Sequence, residues 1–189
     1  MLRPASICLR VIMCASLFLA ALPPHFSLAR TGTEPDYQGL EEILPGAAER
    51  DFPVYLYFVD TENGYLNSEA RDIQVTRPPQ AFCREIVKEL IRGPETGLVK
   101  TLPPGTELRA LYVTSDRVAY VDLSASVSDD HPGGVRTELM TVYSIVNTLV
   151  LNVSAVERVK LLIDGRDADT LAGHIDIRHP LQADMLLVR

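Results

Sequence analysis

The chain has 189 residues, 47% of them hydrophobic, and 25 acidic side chains against 18 basic ones give a net charge of −7. This balance excludes nucleic acid as a partner, because that needs a basic stripe, and it excludes adhesion to anionic lipid by charge. Of three cysteines, Cys8 and Cys14 fall in the N-terminal segment, so an internal disulfide framework is excluded as well.

Residues 1–29 have the order of an export signal. Arg3 and Arg10 make a positive start, residues 11–22 are apolar and uncharged, and Ser27, Leu28 and Ala29 put small residues where a signal peptidase reads. Cleavage before Arg30 is expected. An uncleaved anchor is the alternative and the only expected route to the membrane, although the apolar run is shorter than the ~20 residues of a span. Cys14 lies inside that run, after Met13, and is a poor lipoprotein signal. The mature chain, about 160 residues, is long enough for one domain. Losing two arginines makes it more acidic, and its only thiol is Cys83, read as a small buried hydrophobe on a helix.

Residues 30–51 carry Gly32, Pro35, Gly39, Pro45 and Gly46 with scattered acids and no sustained period, which reads as a flexible linker. A single domain is expected over 52–189. Its first strand, 54–59, is β-branched and aromatic and apolar on both faces, as a buried strand would be. Asn63 and Gly64 then signal a turn, and a half-exposed second strand over 66–75 completes a hairpin. A helix is predicted over 76–93. Phe82, Ile86 and Leu90 form its apolar stripe, widened by Cys83, Val87 and Ile91, with charges opposite and Gly93 and Pro94 as the stop.

The connection 94–106 includes one expected helical turn near 97–100. A second hairpin pairs 107–113 with 117–123 across Ser115 and Asp116. A break at 129–134 precedes a long helix over 135–151, whose core face is Val135, Leu139, Val142, Val146 and Leu149, broadened by Met140, Tyr143 and Val150. A strand over 158–163 ends at Asp164 and Gly165, and the apolar group 185–188 reads as an edge strand. The order is ββαββαβ, an α+β fold with a mostly antiparallel sheet and two helices packed on one face.

The chemistry-bearing residues are few. Asp122, Ser124, Asp164 and His174 contain the residue types of a hydrolase triad. However, no Gly-x-Ser-x-Gly elbow frames Ser124 and no glycine-rich oxyanion loop is visible. Turn capping accounts for Asp122, Ser124 and Asp164 instead. Asp129, Asp130 and His131 are metal-ligand types, but they are adjacent rather than spaced for one ion; a solvated loop ahead of the helix fits them better. No phosphate loop is present. Neither a catalytic residue, a cofactor site nor a metal site is therefore assigned. Asn147 lies in the widest apolar helix, where a buried amide must find partners. The expectation is that it bonds a strand backbone and fixes the helix register, with a ligand contact as the alternative.

Several motifs carry a resemblance in their order. Leu90, Gly93 and Pro94 end the first helix; Pro103, Gly105 and Thr106 form a turn; Val121, Asp122, Leu123 and Ser124 follow. Asn147, Thr148 and Leu149 lie in the long helix, and Ile163, Asp164 and Gly165 close the last strand. Together they resemble the GerMN domain family of spore-germination proteins and envelope lipoproteins, over about residues 54–174. The resemblance implies an exported, non-catalytic module working outside the cytoplasm, as an assembly or interaction domain of the cell envelope. It supplies no catalytic residue. It implies partners among envelope proteins or further copies of the chain, with peptidoglycan as a further candidate. A peptidoglycan-associated enzyme or wall-lytic accessory and a small-ligand sensor are the alternatives. The chain departs from the tandem members in having one copy of the domain.

The apolar first strand points to a working surface. Tyr55, Tyr57 and Val59 share one face, and an exposed aromatic face marks a contact site. Strand addition at a sheet edge is a second mode. The competing expectation is that the linker or the tail 181–189 covers the tyrosines.

Overall fold

Alternation along the first strand is the start of the architecture. In β1 (Asp51–Val59), Val54, Leu56 and Phe58 are buried together, and β1 pairs antiparallel with β2 (Leu66–Gln74) in a register from Asp51 opposite Gln74 to Val59 opposite Leu66. The turn between them is held by Asp60, whose backbone carbonyl accepts from the Gly64 N–H and whose carboxylate accepts from the Glu62 N–H, with Gly64 at φ 72°. The computed structural model describes residues 51–74 and 78–189. The expected signal and all but the last residue of the expected linker lie outside the described residues, as do Val75 at the predicted end of the second strand and Thr76 and Arg77 at the predicted start of the first helix.

The first helix, α1 (Pro79–Arg92), begins with proline, whose missing N–H costs nothing there. Cys83, Ile86, Val87 and Leu90 are its buried stripe, and Gly93 ends it at φ 102°. Burial pushes the Cys83 thiol up to about 12, so it is an inert core group. Val99 bridges Val59 where a helical turn was expected near 97–100. The second hairpin is β3 (Leu108–Val113) and β4 (Val118–Leu123), followed by one short helix, α2 (Ser126–Asp129), and the long α3 (Val135–Asn152).

The last strand, β5 (Arg158–Ile163), pairs parallel with β4. A parallel pair needs a long crossover, and α3 supplies it. The strands therefore divide into a two-stranded sheet, β1–β2, and a three-stranded sheet, β3–β4–β5, rather than forming a single sheet. The fold is α+β. Between the sheets lies one core that includes Leu56, Phe58, Ile86, Leu90, Val121, Ile145, Leu149 and Leu161. The apolar group near the C-terminus is not a strand. Met185–Leu187 is a 3₁₀ turn, and only Val188 bridges to Leu66. Asp184 caps that turn by accepting from the Leu186 N–H.

Helix α3 is less apolar than its pattern implies. Glu138, Thr141, Ser144, Asn147 and Thr148 are all buried. Together they hold four stretches of chain, at Tyr57, Thr101, residues 172–175 and Asp184, so this helix is a spine to which other segments are stapled.

Candidate functional site

Asp122, Ser124, Asp164 and His174 do not form one cluster. Asp122 accepts the Gly165 N–H at 2.7 Å and faces Arg109 at 3.3 Å, and Arg109 reaches Asp164 at 3.1 Å. This trio secures the turn after β5, where Asp164 has the left-handed φ of 50°. Ser124 works elsewhere: its hydroxyl accepts from the Glu107 N–H at 2.9 Å and donates to the Gly105 carbonyl. His174 Nδ1 lies 2.6 Å from Glu138. Each group already has a structural partner, and Ser124 has no hydrogen bond to an imidazole among the described residues.

His131 is also committed. Its Nδ1 accepts from the Gly133 N–H at 3.0 Å, so the proton sits on Nε2, 3.0 Å from the Thr141 hydroxyl. Burial lowers its pKa, against the nearby charge of Glu138, which favours the neutral ring. Both ring nitrogens are therefore occupied. Among the described residues, no group of three His, Cys, Asp or Glu side chains is placed to hold a metal ion.

Asn147 is fully buried and exchanges two hydrogen bonds with the backbone of Asp184: Nδ2 donates at 3.0 Å, and Oδ1 accepts from the N–H at 2.9 Å. Its partner is the tail rather than a strand. Thr141 donates to the Thr101 carbonyl, while the hydroxyls of Thr101 and Ser144 meet at 2.7 Å.

Two glutamates were not singled out by the sequence. Glu138 Oε2 accepts the N–H groups of Ala172, His174 and Ile175 at 3.0–3.1 Å. Burial opposes its charge, but the His174 ring and these three amides outweigh burial and hold its pKa at about 2. Glu69 does the same for another loop, accepting from the N–H groups of Glu95 and Thr96, the Thr96 hydroxyl and Arg71. Its pKa is also held at about 2, against burial, chiefly by the Thr96 hydroxyl, then by the Glu95 amide and Arg71. Neither has a local motif, because the bonded amides lie 26 to 37 residues away in sequence.

The tyrosine face is partly closed. Tyr57 is only 8% exposed and packs with Leu66, Met140, Tyr143, Leu187 and Val188, so the tail covers it. Tyr55 remains 49% exposed. Leu151 is 43% exposed, and Met185 and Leu186 are 55% and 79% exposed. Asn152, next to Leu151, bonds Tyr55, and Asn147, one helical turn before Leu151, bonds Asp184, next to Met185. These four exposed apolar residues lie on β1, α3 and the tail, three segments that these hydrogen bonds tie together.

A separate hollow of about 330 Å³ is lined mainly by apolar groups, among them Leu102, Pro103, Pro132 and Met140, with Asp130 and Arg136 also in its wall. Among the described residues, no helix is long and apolar enough to cross a membrane.

Comparison with known proteins places these features in a family context. The family model described as Germane, sporulation and spore germination, matches residues 55–169. No match is found among the curated proteins. Among solved structures, a Clostridium perfringens protein assigned as a lipoprotein is similar at 23% identity and a TM-score of 0.52, covering 72% of this chain and 93% of that one. The first GerMN domain of the sporulation protein GerM from Bacillus subtilis is similar at 22% identity and a TM-score of 0.52, covering 70% and 96%. The tandem GerMN domains of the same protein give 21% identity and 0.52, and the match spans 45% of that longer chain. At these identities the structures show a common fold.

Proposed function

The chain belongs to the Germane sporulation and spore-germination family, and from this premise we propose that it is an exported, non-catalytic module that works in the bacterial cell envelope by binding protein, either an envelope partner or a further copy of itself. The observation that carries this reading is the exposure of four large apolar side chains on β1, α3 and the tail: Tyr55, Leu151, Met185 and Leu186. Leu186, at 79% exposure, is held out from the body by the 3₁₀ turn that Asp184 caps. A side chain so exposed on an ordered turn costs solubility without stabilising the core, which supports a role in contact. The binding of Ser124 and His174 to separate structural partners supports the non-catalytic reading.

Site-specific photocrosslinking tests it. A benzophenone residue at position 186 in the full chain, expressed in its host, should give a discrete protein adduct, and the same residue at Glu62 should not. The reading fails if positions 55, 151 and 186 all give no more adduct than position 62.

A further inference from the structure

Among the described residues, the outer edge of β2 is left open. Parity follows from β1. The Tyr55 N–H and C=O turn to Asn152 and the Tyr57 N–H turns to Thr148, so both residues point away from β2. Their register partners, Ala70 and Ser68, must then point away from β1, and so must Asp72.

The remaining edges are at least partly closed from within. Val159 of β5 exchanges both backbone bonds with Leu181, the Leu111 carbonyl of β3 accepts from Arg84, and the Leu66 carbonyl at the start of β2 accepts from the Arg189 N–H. The Ser68 N–H turns to Asn67 Oδ1. The Ser68 carbonyl and both backbone groups of Ala70 and Asp72 have no partner among the described residues.

This edge forms one wall of a groove of about 690 Å³, with α1 forming the other. Residues 70–74 line it consecutively. A strand face would contribute every second residue, so it is the hydrogen-bonding edge that faces the groove.

We infer that this groove receives an extended segment of a partner protein, added to β1–β2 as a third strand through the backbone of Ala70 and Asp72. The inference rests on reading the domain as an interaction module, but it concerns the β2 edge rather than the exposed apolar side chains. The occupant is a strand because the open groups recur every second residue, the period of another extended backbone; a helix has already spent its own. It is a single segment because α1 stands across the groove and leaves no space for a second sheet behind the added strand. It carries a basic residue. Arg71, Arg84 and Arg92 at the groove are each hydrogen-bonded within the chain, whereas Asp72 has no ionic partner among the described residues and Glu95 lies 3.8 Å from Arg71.

The test is amide exchange by NMR on the full-length protein with a capped synthetic peptide of alternating valine, threonine and lysine. Exchange at Ala70 and Asp72 should slow by about tenfold or more at saturating peptide. N-methylation of alternate peptide nitrogens, which removes backbone donors and leaves the side chains, should abolish the effect. Ala70→Pro should remove the response, and Asp72→Lys, which leaves the backbone intact, should weaken binding several-fold. Unchanged exchange at both residues, or equal binding of the N-methylated peptide, overturns the proposal. Protection of these amides that grows with protein concentration in the absence of peptide also overturns it, by assigning the edge to a second copy. The adduct at position 186 is independent of all these outcomes.

Discussion

Asn152 holds both backbone groups of Tyr55: its Oδ1 accepts the N–H at 2.9 Å and its Nδ2 donates to the carbonyl at 2.8 Å. One turn earlier, Thr148 takes the Tyr57 N–H at 3.1 Å. Two side chains four residues apart on α3 thus stand in for a neighbouring strand. Residues i and i+4 rise about 6 Å along a helix, close to the ~6.8 Å between strand residues i and i+2, so the two periods match over this short distance.

Asn152→Ala should destabilise the fold by about 1 kcal/mol, since these bonds lie near solvent and water replaces part of them. Urea unfolding checks this through a lower midpoint at unchanged slope. Exchange of the Tyr55 amide should accelerate more than that of the buried Leu56.

The two buried glutamates predict an acid limit. Each carboxyl titrates near 4.5 when unperturbed and at about 2 in the fold. The unfolded chain therefore binds protons first as pH falls. The stabilisation is complete above about pH 4.5 and is lost progressively toward pH 2. It amounts to about 3 kcal/mol per group as an upper value. Denaturation midpoints measured between pH 7 and pH 2 should show this decline. Glu138→Gln should cost about 2–4 kcal/mol at pH 7 and flatten the acid slope, because an amide donor then faces backbone N–H groups.

Asn147→Ala should cost about 1–3 kcal/mol, by leaving the half-buried Asp184 backbone groups unpaired. The tail should detach first. Limited proteolysis would then cut near residues 182–188 at protease levels that leave the parent intact, and Tyr57 would gain exposure, readable by its fluorescence. An unchanged midpoint together with an unchanged digestion pattern would show that Asn147 does not hold the tail.

Ser124→Ala should lower stability by about 1 kcal/mol through loss of the Glu107 N–H acceptor. It should leave any turnover of ester or glycosidic substrates unchanged. Loss of a measured activity in the folded variant would restore the enzyme reading.

Local physics made the elements legible. Asn63 and Gly64 mark the first turn, the stripe through Ile86 and Leu90 marks α1, and the apolar spacing from Val142 to Leu149 marks α3. Long-range choices were not legible. The parallel pairing of β5 depends on which side of β4 the crossover returns to, and no residue in 158–163 encodes that. The division into two sheets depends on α3 taking the β1 edge, a task carried out by Thr148 and Asn152, which read as ordinary polar positions. Asn147 could be singled out because an amide in an apolar helix demands partners, but the partner was in the tail. Asp122 and Asp164 meet through Arg109, which had no signature. Tyr55 and Tyr57 share a face in the sequence pattern, yet the tail separates their fates by covering one and leaving the other.

The sealing of β1 has a temporal side. The helix residue that closes Tyr55 lies 97 positions later in the chain, and the one that closes Tyr57 lies 91 later. During synthesis, the first hairpin emerges with its edge bare and stays so until α3 has followed. Contacts this distant are slow to form because the intervening loop must close before they repay its entropy. The nascent chain is thereby kept from locking prematurely, and its period of greatest vulnerability to sticking falls before Asn152 appears.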